Sequence, residues 1–258
     1  MPTTITILGC SGGIGPDLRT TGLLIGEDTL IDAGTGVGDL SLEAQRRIRR
    51  VLLTHAHLDH VCGLALMADN LFDEIDAPVD VFGRPETLQT LRDHLFNWQL
   101  WPDFAVLPSV EAPLLRWQPQ PVGSRTALGN GVQAQSFAVV HTVPAVGYLL
   151  RGESQCFAFS GDTFHSPGLW EPLNALPRLD YLMVEIAFRN EEAALGDIAR
   201  HFTPARLAES LAGLRHRPEL LLTHHKPGEE AVIAAQCESA LAGWRYRHLK
   251  RGERIPLA

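Results

Sequence analysis

No stretch of this 258-residue chain approaches the roughly eighteen consecutive apolar residues that a membrane span needs. The start, Met1-Pro2-Thr3-Thr4-Ile5, has no basic head, long apolar run or small-residue cleavage site, so no export signal is read there. Cysteine is scarce: Cys10, Cys62, Cys156 and Cys237 stand far apart, with no C-x-x-C pair. Thiols scattered in this way suit a reducing compartment better than a disulfide framework, and the cytoplasm is expected. Long linkers, repeats and low-complexity tracts are absent too, so a single domain over residues 1–258 is expected. A basic stripe is also missing. The formal net charge of −8 argues against nucleic acid as a partner. The two dense basic runs, Arg46-Arg47-x-Arg49-Arg50 and the tail from Arg245 to Arg254, read as solvated surface. An acidic protein can still bind a phosphate where metal ions supply the local positive charge.

What the chain does have is a dense cluster of metal-type ligands. His55-Ala56-His57-Leu58-Asp59-His60 follows directly on the apolar run Val51-Leu52-Leu53-Thr54. The run reads as a buried strand and the polar burst as the loop at its end. Neutral imidazole nitrogen and carboxylate oxygen are donors that divalent metals accept. In an extended segment His55 and His57 project to one side and can reach one ion. Asp59 and His60 follow once the chain has turned, where they can serve a second ion close by. The pattern then recurs downstream. A strand over 132–140 ends at His141, and one over 156–159 ends in Ser160-Gly161-Asp162-Thr163. A strand over 181–186 carries Glu185, and one over 219–223 ends in His224-His225-Lys226-Pro227-Gly228. Singly, each of these is an ordinary strand-end residue. A metal-type side chain after one apolar strand after another points to one shared site.

The remaining elements follow from the same signals. Strands are expected over 4–8, 21–25, 29–32, 79–82 and 148–150, with Gly26-Glu27-Asp28 as a hairpin turn. Asp32-Ala33-Gly34-Thr35-Gly36 lacks the lysine of a P-loop and the spacing of a dinucleotide fingerprint, so its glycines are expected to let backbone pass close to a buried site. Ser41 caps a helix toward residue 49. Further helices are expected over 61–67, 85–96, 193–200, 204–214 and 232–241, and His201 lies in the turn between two of them. Many strand pairs are hairpins, so the sheets should be mixed. The stretch Asn97-Trp98-Gln99-Leu100-Trp101-Pro102-Asp103-Phe104 has two readings, which His94 shares: a satellite core, or the stacking wall of a pocket.

The six-residue stretch from His55 to His60 after a hydrophobic strand resembles the metal-binding element of the metallo-β-lactamase superfamily. That resemblance implies an αββα four-layer sandwich, an α+β arrangement with two mixed sheets packed face to face and helices outside. Residue by residue, it makes His55, His57 and His141 the ligands of a first divalent ion. Asp59, His60 and His224 become the ligands of a second, with Asp162 bridging both. Such shells accept zinc, and also manganese or iron. His225, pointing elsewhere, is expected in the outer shell or at the surface. Glu185 with His201 resembles the Glu–His pair of the phosphodiesterase branch, where the histidine protonates the leaving oxygen and the carboxylate orients it.

His141-x-Val143-Pro144-x-x-Gly147-Tyr148 is similar to the same branch. The phrases Gly9-Cys10-Ser11-Gly12-Gly13 and Thr223-His224-x-Lys226-Pro227-Gly228 resemble bacterial class II 3′,5′-cyclic-nucleotide phosphodiesterases. The implied reaction opens a cyclic nucleotide, a small-molecule phosphodiester, by attack of a hydroxide shared by the metals, with His201 as general acid. The alternatives on the same fold are a thioesterase of the glyoxalase II type and a tRNA 3′-processing nuclease, and a homodimer stays open. From another class comes a metal-binding carrier or sensor without catalysis.

Overall fold

The alternating start of the chain forms a strand, β1 (Thr4–Gly9), that buries Ile5 and Ile7 and leaves Thr4 and Thr6 half-buried. The computed structural model describes residues 3–257. After β1 come β2 (Gly22–Ile25), β3 (Thr29–Ala33), α1 (Leu42–Arg46), β4 (Arg50–Leu52), α2 (Leu58–Leu71), β5 (Val79–Gly83), α3 (Pro85–His94) and β6 (Leu115–Pro119). The chain continues with β7 (Arg125–Gly129), β8 (Val132–Ala138), β9 (Val146–Arg151), β10 (Cys156–Phe159), α4 (Glu171–Asn174) and β11 (Tyr181–Glu185). It ends with α5 (Ala193–Ala199), α6 (Pro204–Leu211), β12 (Glu219–Thr223), α7 (Glu230–Ala240), β13 (Tyr246–His248) and β14 (Arg254–Pro256).

Two seven-stranded sheets result, in the orders β14-β1-β2-β3-β4-β5-β6 and β13-β12-β11-β10-β9-β8-β7. Both are mixed, because hairpins such as β2–β3 and β9–β10 stand beside parallel pairs such as β3–β4 and β11–β12. Ile5, Ile7, Leu23 and Ile31 of the first sheet pack on Tyr148, Phe157, Phe159 and Met183 of the second, and this inner core joins the sheets. Outside the first sheet, Val61 and Leu64 of α2 and Leu88 and Leu91 of α3 cover Val51, Val79 and Val81. Outside the second, Leu207 and Leu211 of α6 and Ile233 and Cys237 of α7 cover Leu182, Val184, Leu220 and Leu222. The architecture is therefore an αββα sandwich. Each fully buried aliphatic side chain in these layers contributes about 1.5–3 kcal/mol.

Strand direction decides where the polar strand ends meet. β8 and β10 are both antiparallel to β9, while β10, β11 and β12 run parallel to one another, so all four finish on one rim. In the first sheet β3 and β4 are likewise parallel. The Val146 amide donates to the Thr54 carbonyl across the two sheets, which brings the end of β4 against the start of β9.

Several boundaries differ from expectation. The helix after Ser41, whose hydroxyl accepts from the Ala44 amide, stops at Arg46 and not near residue 49, because Arg49 and Arg50 turn to donate their amides to the Asp28 carbonyl at 2.8 and 3.1 Å. α2 begins at Leu58, so Asp59 and His60 lie in its first turn and not in a loop. The strand before His141 ends at Ala138, and α6 ends at Leu211. β6, β7, β13, β14 and α4 carried no expectation. The basic tail expected as solvated surface forms β13 and β14. There Arg247 lies 3.1 Å from Glu219 and also pairs with Glu253, and Arg251 pairs with Asp39. In the aromatic stretch, Phe104 is core and the Trp101 indole donates to the Ala65 carbonyl of α2 at 2.9 Å, which favours the satellite core there. Trp98 points outward, and His94 is exposed.

Candidate metal centre

The rim of strand ends gathers two overlapping sets of donors. His55, His57, His141 and Asp162 form one, and Asp59, His60, Asp162 and His224 the other; within each set one ligand atom per residue lies within 4.8 Å of all the rest. Asp162 belongs to both. Its Oδ2 is 3.3 Å from His60 Nε2 and 3.7 Å from His55 Nε2, and its Oδ1 is 3.4 Å from His224 Nδ1. Asp59 Oδ2 stands 3.8 Å from both His60 Nε2 and His224 Nε2.

The tautomers follow from partners that can only accept, or whose proton is already committed. Asp32 is fully buried at the end of β3. Its backbone is left-handed (φ 55°), a conformation aspartate tolerates better than most residues. Its Oδ1 takes the Thr54 amide at 2.8 Å, and its Oδ2 takes both the Thr54 hydroxyl and His60 Nδ1–H at 2.7 Å. With its own proton given to Asp32, the Thr54 oxygen accepts from His55 Nδ1 at 3.0 Å. His141 Nδ1 donates to the Arg200 carbonyl at 3.1 Å. In the neutral ring each of these bonds leaves the opposite nitrogen with a bare lone pair, the arrangement that metal-binding histidines adopt.

The residues fit divalent cations. His55 Nε2, His60 Nε2 and His224 Nε2 are buried with no hydrogen-bond partner, and orphaned polar atoms of this kind cost free energy unless something fills the space. His57 Nδ1 and His141 Nε2 face each other at 3.1 Å. Burial lowers His55 well below its ordinary range, His141 to about 4 and His224 to about 3, so these rings are neutral donors. His60 behaves differently. Burial works against its charge, but Asp162 and Asp32 outweigh burial and hold its pKa well above the ordinary value. Burial also opposes the charge of Asp162, yet the surrounding histidines, with charged His60 at 3.3 Å, keep its pKa well below the usual carboxylate range. A pocket that puts positive charge on His60 to satisfy Asp162 is one where a metal ion does the same.

Beside these sets stands a second pair. His201 Nδ1 lies 3.0 Å from Glu185 Oε1, which also accepts the amides of Phe202 at 3.2 Å and Thr163 at 3.3 Å. Arg200, left-handed at the end of α5, turns the chain so that His201 faces the rim. The His201 ring stacks on His224 at 5.3 Å and meets the edge of His141 at 4.9 Å, touching both donor sets. Burial opposes charge on His201, but the Glu185 carboxylate raises its pKa above the ordinary value. Burial raises the pKa of Glu185 in turn.

His225 points away from this rim, donates Nδ1–H to the Ile186 carbonyl at 2.7 Å and meets His248 Nδ1 at 2.8 Å. It is buried, so the surface alternative for it fails. Two supporting residues went unread in the sequence, Asp32 and Thr54. Their signal was the strand-end position itself: Thr29–Ala33 carries a carboxylate near its end, as β11 does.

Residues 28–225 match a family model described as the beta-lactamase superfamily domain. The chain belongs to the metallo-β-lactamase superfamily. Among curated relatives, a probable 3′,5′-cyclic-nucleotide phosphodiesterase of Yersinia pestis is 25% identical over 66% of this chain. That match spans only 52% of the Yersinia protein. A ribonuclease Z of Bradyrhizobium is 32% identical over 90% of this chain and 93% of its own length. Among solved structures, unliganded yeast PDE1 superposes with a TM-score of 0.80 at 18% identity, covering 99% of both chains. The chain thus has the metallo-β-lactamase fold by family, with residue groups suited to divalent metals. Among the described residues no helix is long and apolar enough to cross a membrane.

Proposed function

We propose that this chain is a binuclear phosphodiesterase whose residues 1–258 work as one cytoplasmic hydrolase domain opening 3′,5′-cyclic nucleotides to nucleoside monophosphates. The observation that carries the reading is the Glu185–His201 pair, 3.0 Å apart and in contact with both donor sets. His55, His57 and His141 would hold one ion and Asp59, His60 and His224 the other, with Asp162 common to both donor sets. Zinc suits these donors, with manganese or iron as substitutes. When bound, the ions supply an activated water and offset the negative charge that grows on the phosphoryl oxygens.

The side chains supply the rest. With Nδ1 committed to Glu185, His201 presents Nε2 to the substrate and delivers its proton to the departing ribose 3′-oxygen. Glu185 keeps that proton available near neutral pH by raising the histidine's pKa. An alkoxide is a poor leaving group, so a built-in acid matters more for a phosphodiester than for a thioester, whose thiolate leaves readily. The relatives' names agree on phosphodiester chemistry but divide between cyclic nucleotides and RNA. The ribonuclease Z relative's nearly full coverage supports a second reading, cleavage of a linear RNA diester. A net charge of −8 disfavours it, because RNA binding draws on a basic surface.

The deciding experiment is a turnover screen with protein of measured metal content. Its substrates are cyclic AMP, cyclic GMP, bis(p-nitrophenyl) phosphate, a short linear RNA and a glutathione thioester. Hydrolysis of the cyclic nucleotides supports the proposal. Turnover of the thioester alone, or of none of them, would sink it.

A further inference from the structure

Twenty of the 22 cationic side chains in this sequence are arginine; only Lys226 and Lys250 are lysine. Lys250 is exposed, in the turn before β14. Lys226 lies two residues beyond His224 and is half-buried. Its ammonium donates to the Gly12 carbonyl at 2.9 Å, and its amide donates to Ala187. Gly12 itself lies against the metal-type donors: a Cβ placed there would sit 3.0 Å from His224 Cδ2. The ammonium is thereby tied to the loop after β1, whose Gly12 also packs against the His224 ring on which His201 stacks. Among the described residues no carboxylate lies within ion-pair distance of it, although the protein is acidic. One of its three N–H donors is used by Gly12, and two remain.

An unpaired, partly desolvated cation beside a cluster of histidines and carboxylates has a use if the substrate is an anion. A lysine ammonium, compact and with freely rotating donors, can meet a phosphoryl oxygen without the planar constraint of a guanidinium. We infer that Lys226 receives a non-bridging oxygen of the substrate's phosphoryl group and sets the preference of this centre for phosphodiesters over neutral esters. The inference rests on the phosphodiester reading.

The test uses metal-loaded full-length protein and the variants Lys226→Gln and Lys226→Arg. Inorganic phosphate binding is measured by calorimetry, and kcat and KM are measured for bis(p-nitrophenyl) phosphate and for the neutral ester p-nitrophenyl acetate. Metal content and Tm are recorded throughout. Removing a hydrogen bond to a charged group corresponds to about 10- to 100-fold, so K226Q should weaken phosphate binding and raise KM for the diester by that factor. Neutral-ester turnover, metal content and Tm should stay at the wild-type level, and K226R should restore most of the loss. An unchanged diester-to-ester ratio with unchanged phosphate affinity overturns the inference. So does a fall in both substrates together with metal loss or a lower Tm, which would make Lys226 only a tether for the Gly12 loop. If the wild type cuts no diester at all, the phosphodiester reading fails by itself. Phosphate calorimetry then still decides Lys226, since equal affinity in wild type and K226Q overturns it.

Discussion

Asp32→Asn tests whether a single buried carboxylate sets both halves of the proposed centre. The wild-type carboxylate accepts three protons, from the Thr54 amide, the Thr54 hydroxyl and His60 Nδ1, at 2.8, 2.7 and 2.7 Å. Asparagine has the same shape but only one accepting oxygen. With that oxygen toward the Thr54 amide, its NH2 faces His60 Nδ1 and the Thr54 hydroxyl. His60 must then accept at Nδ1, so its proton moves to Nε2, the nitrogen aimed at Asp162 and needed bare for a metal. Turned the other way, the NH2 confronts the backbone N–H of Thr54, which cannot reverse. Both outcomes harm the second donor set, and loss of such an orienting partner typically lowers metal affinity about 10- to 100-fold, or ~1.4–2.7 kcal/mol.

The first set feels the change through Thr54, whose hydroxyl hands the same orientation on to His55. Thr54→Val therefore separates the two routes. It removes the link to His55 but leaves Asp32 bonded to His60, so it should weaken one ion and spare the other. Chelator-competition titration with zinc resolves the two binding steps. If Asp32→Asn binds both equivalents as tightly as wild type, the tautomer argument is wrong.

Four further outcomes are expected. Asp162→Ala removes the carboxylate common to both donor sets and should abolish metal loading and turnover together. His201→Ala should keep both metals and lose about 10²–10⁴-fold in kcat, the usual worth of a positioned general acid; full activity in that variant would end the assignment. In Glu185→Gln the charge that raises the His201 pKa is gone. A general acid must be protonated, so kcat falls as pH rises through that pKa, and the variant's alkaline limb should begin at lower pH than wild type; an unmoved limb in the kcat–pH profile would refute the dyad. Gly63→Ala places a Cβ 2.4 Å from the Gly34 carbonyl and 2.8 Å from that of Ala33, both backbone atoms. Overpacking of that kind costs about 1–3 kcal/mol, read as a Tm lowered by roughly 2–4 °C per kcal/mol at this chain length, and an unchanged Tm would show that α2 can shift away from β3.

The αββα sandwich follows the resemblance stated from the histidine stretch, and the strand ends carrying His141, Asp162, Glu185 and His224 were legible as apolar runs broken by one chemistry-bearing residue. Edges were harder. β13 and β14 are three residues each, built from Tyr246–His248 and Arg254–Pro256, too short and too charged to show an apolar period. They exist because β12 and β1 offer open edges and because Glu219, Glu253 and Asp39 pair with their arginines. The start of α2 is hidden for a related reason. Asp59 and His60 look like loop residues by composition, yet an aspartate in a helix's first turn is favoured by the helix dipole.

Asp32 shows why a supporting shell resists reading from sequence while the donors themselves do not. A metal donor announces itself by residue type, but a residue that orients donors is defined by which proton it receives, and that depends on register. The parallel pairing of β3 with β4 sets Leu30 beside Val51 and Ile31 beside Leu52, which carries Asp32 to the level where β4 ends and Thr54 begins the turn. Only then does its left-handed backbone aim the carboxylate at Thr54 and, through the first turn of α2, at His60. The glycines of that turn belong to the same geometry: a side chain at Gly34 would stand 2.4 Å from the Asp59 carbonyl, so α2 could not approach β3 closely enough to bring His60 to Asp32. The close backbone pass expected of the glycines in Asp32-Ala33-Gly34-Thr35-Gly36 is, at Gly34, the contact that holds the histidine-bearing helix against the sheet.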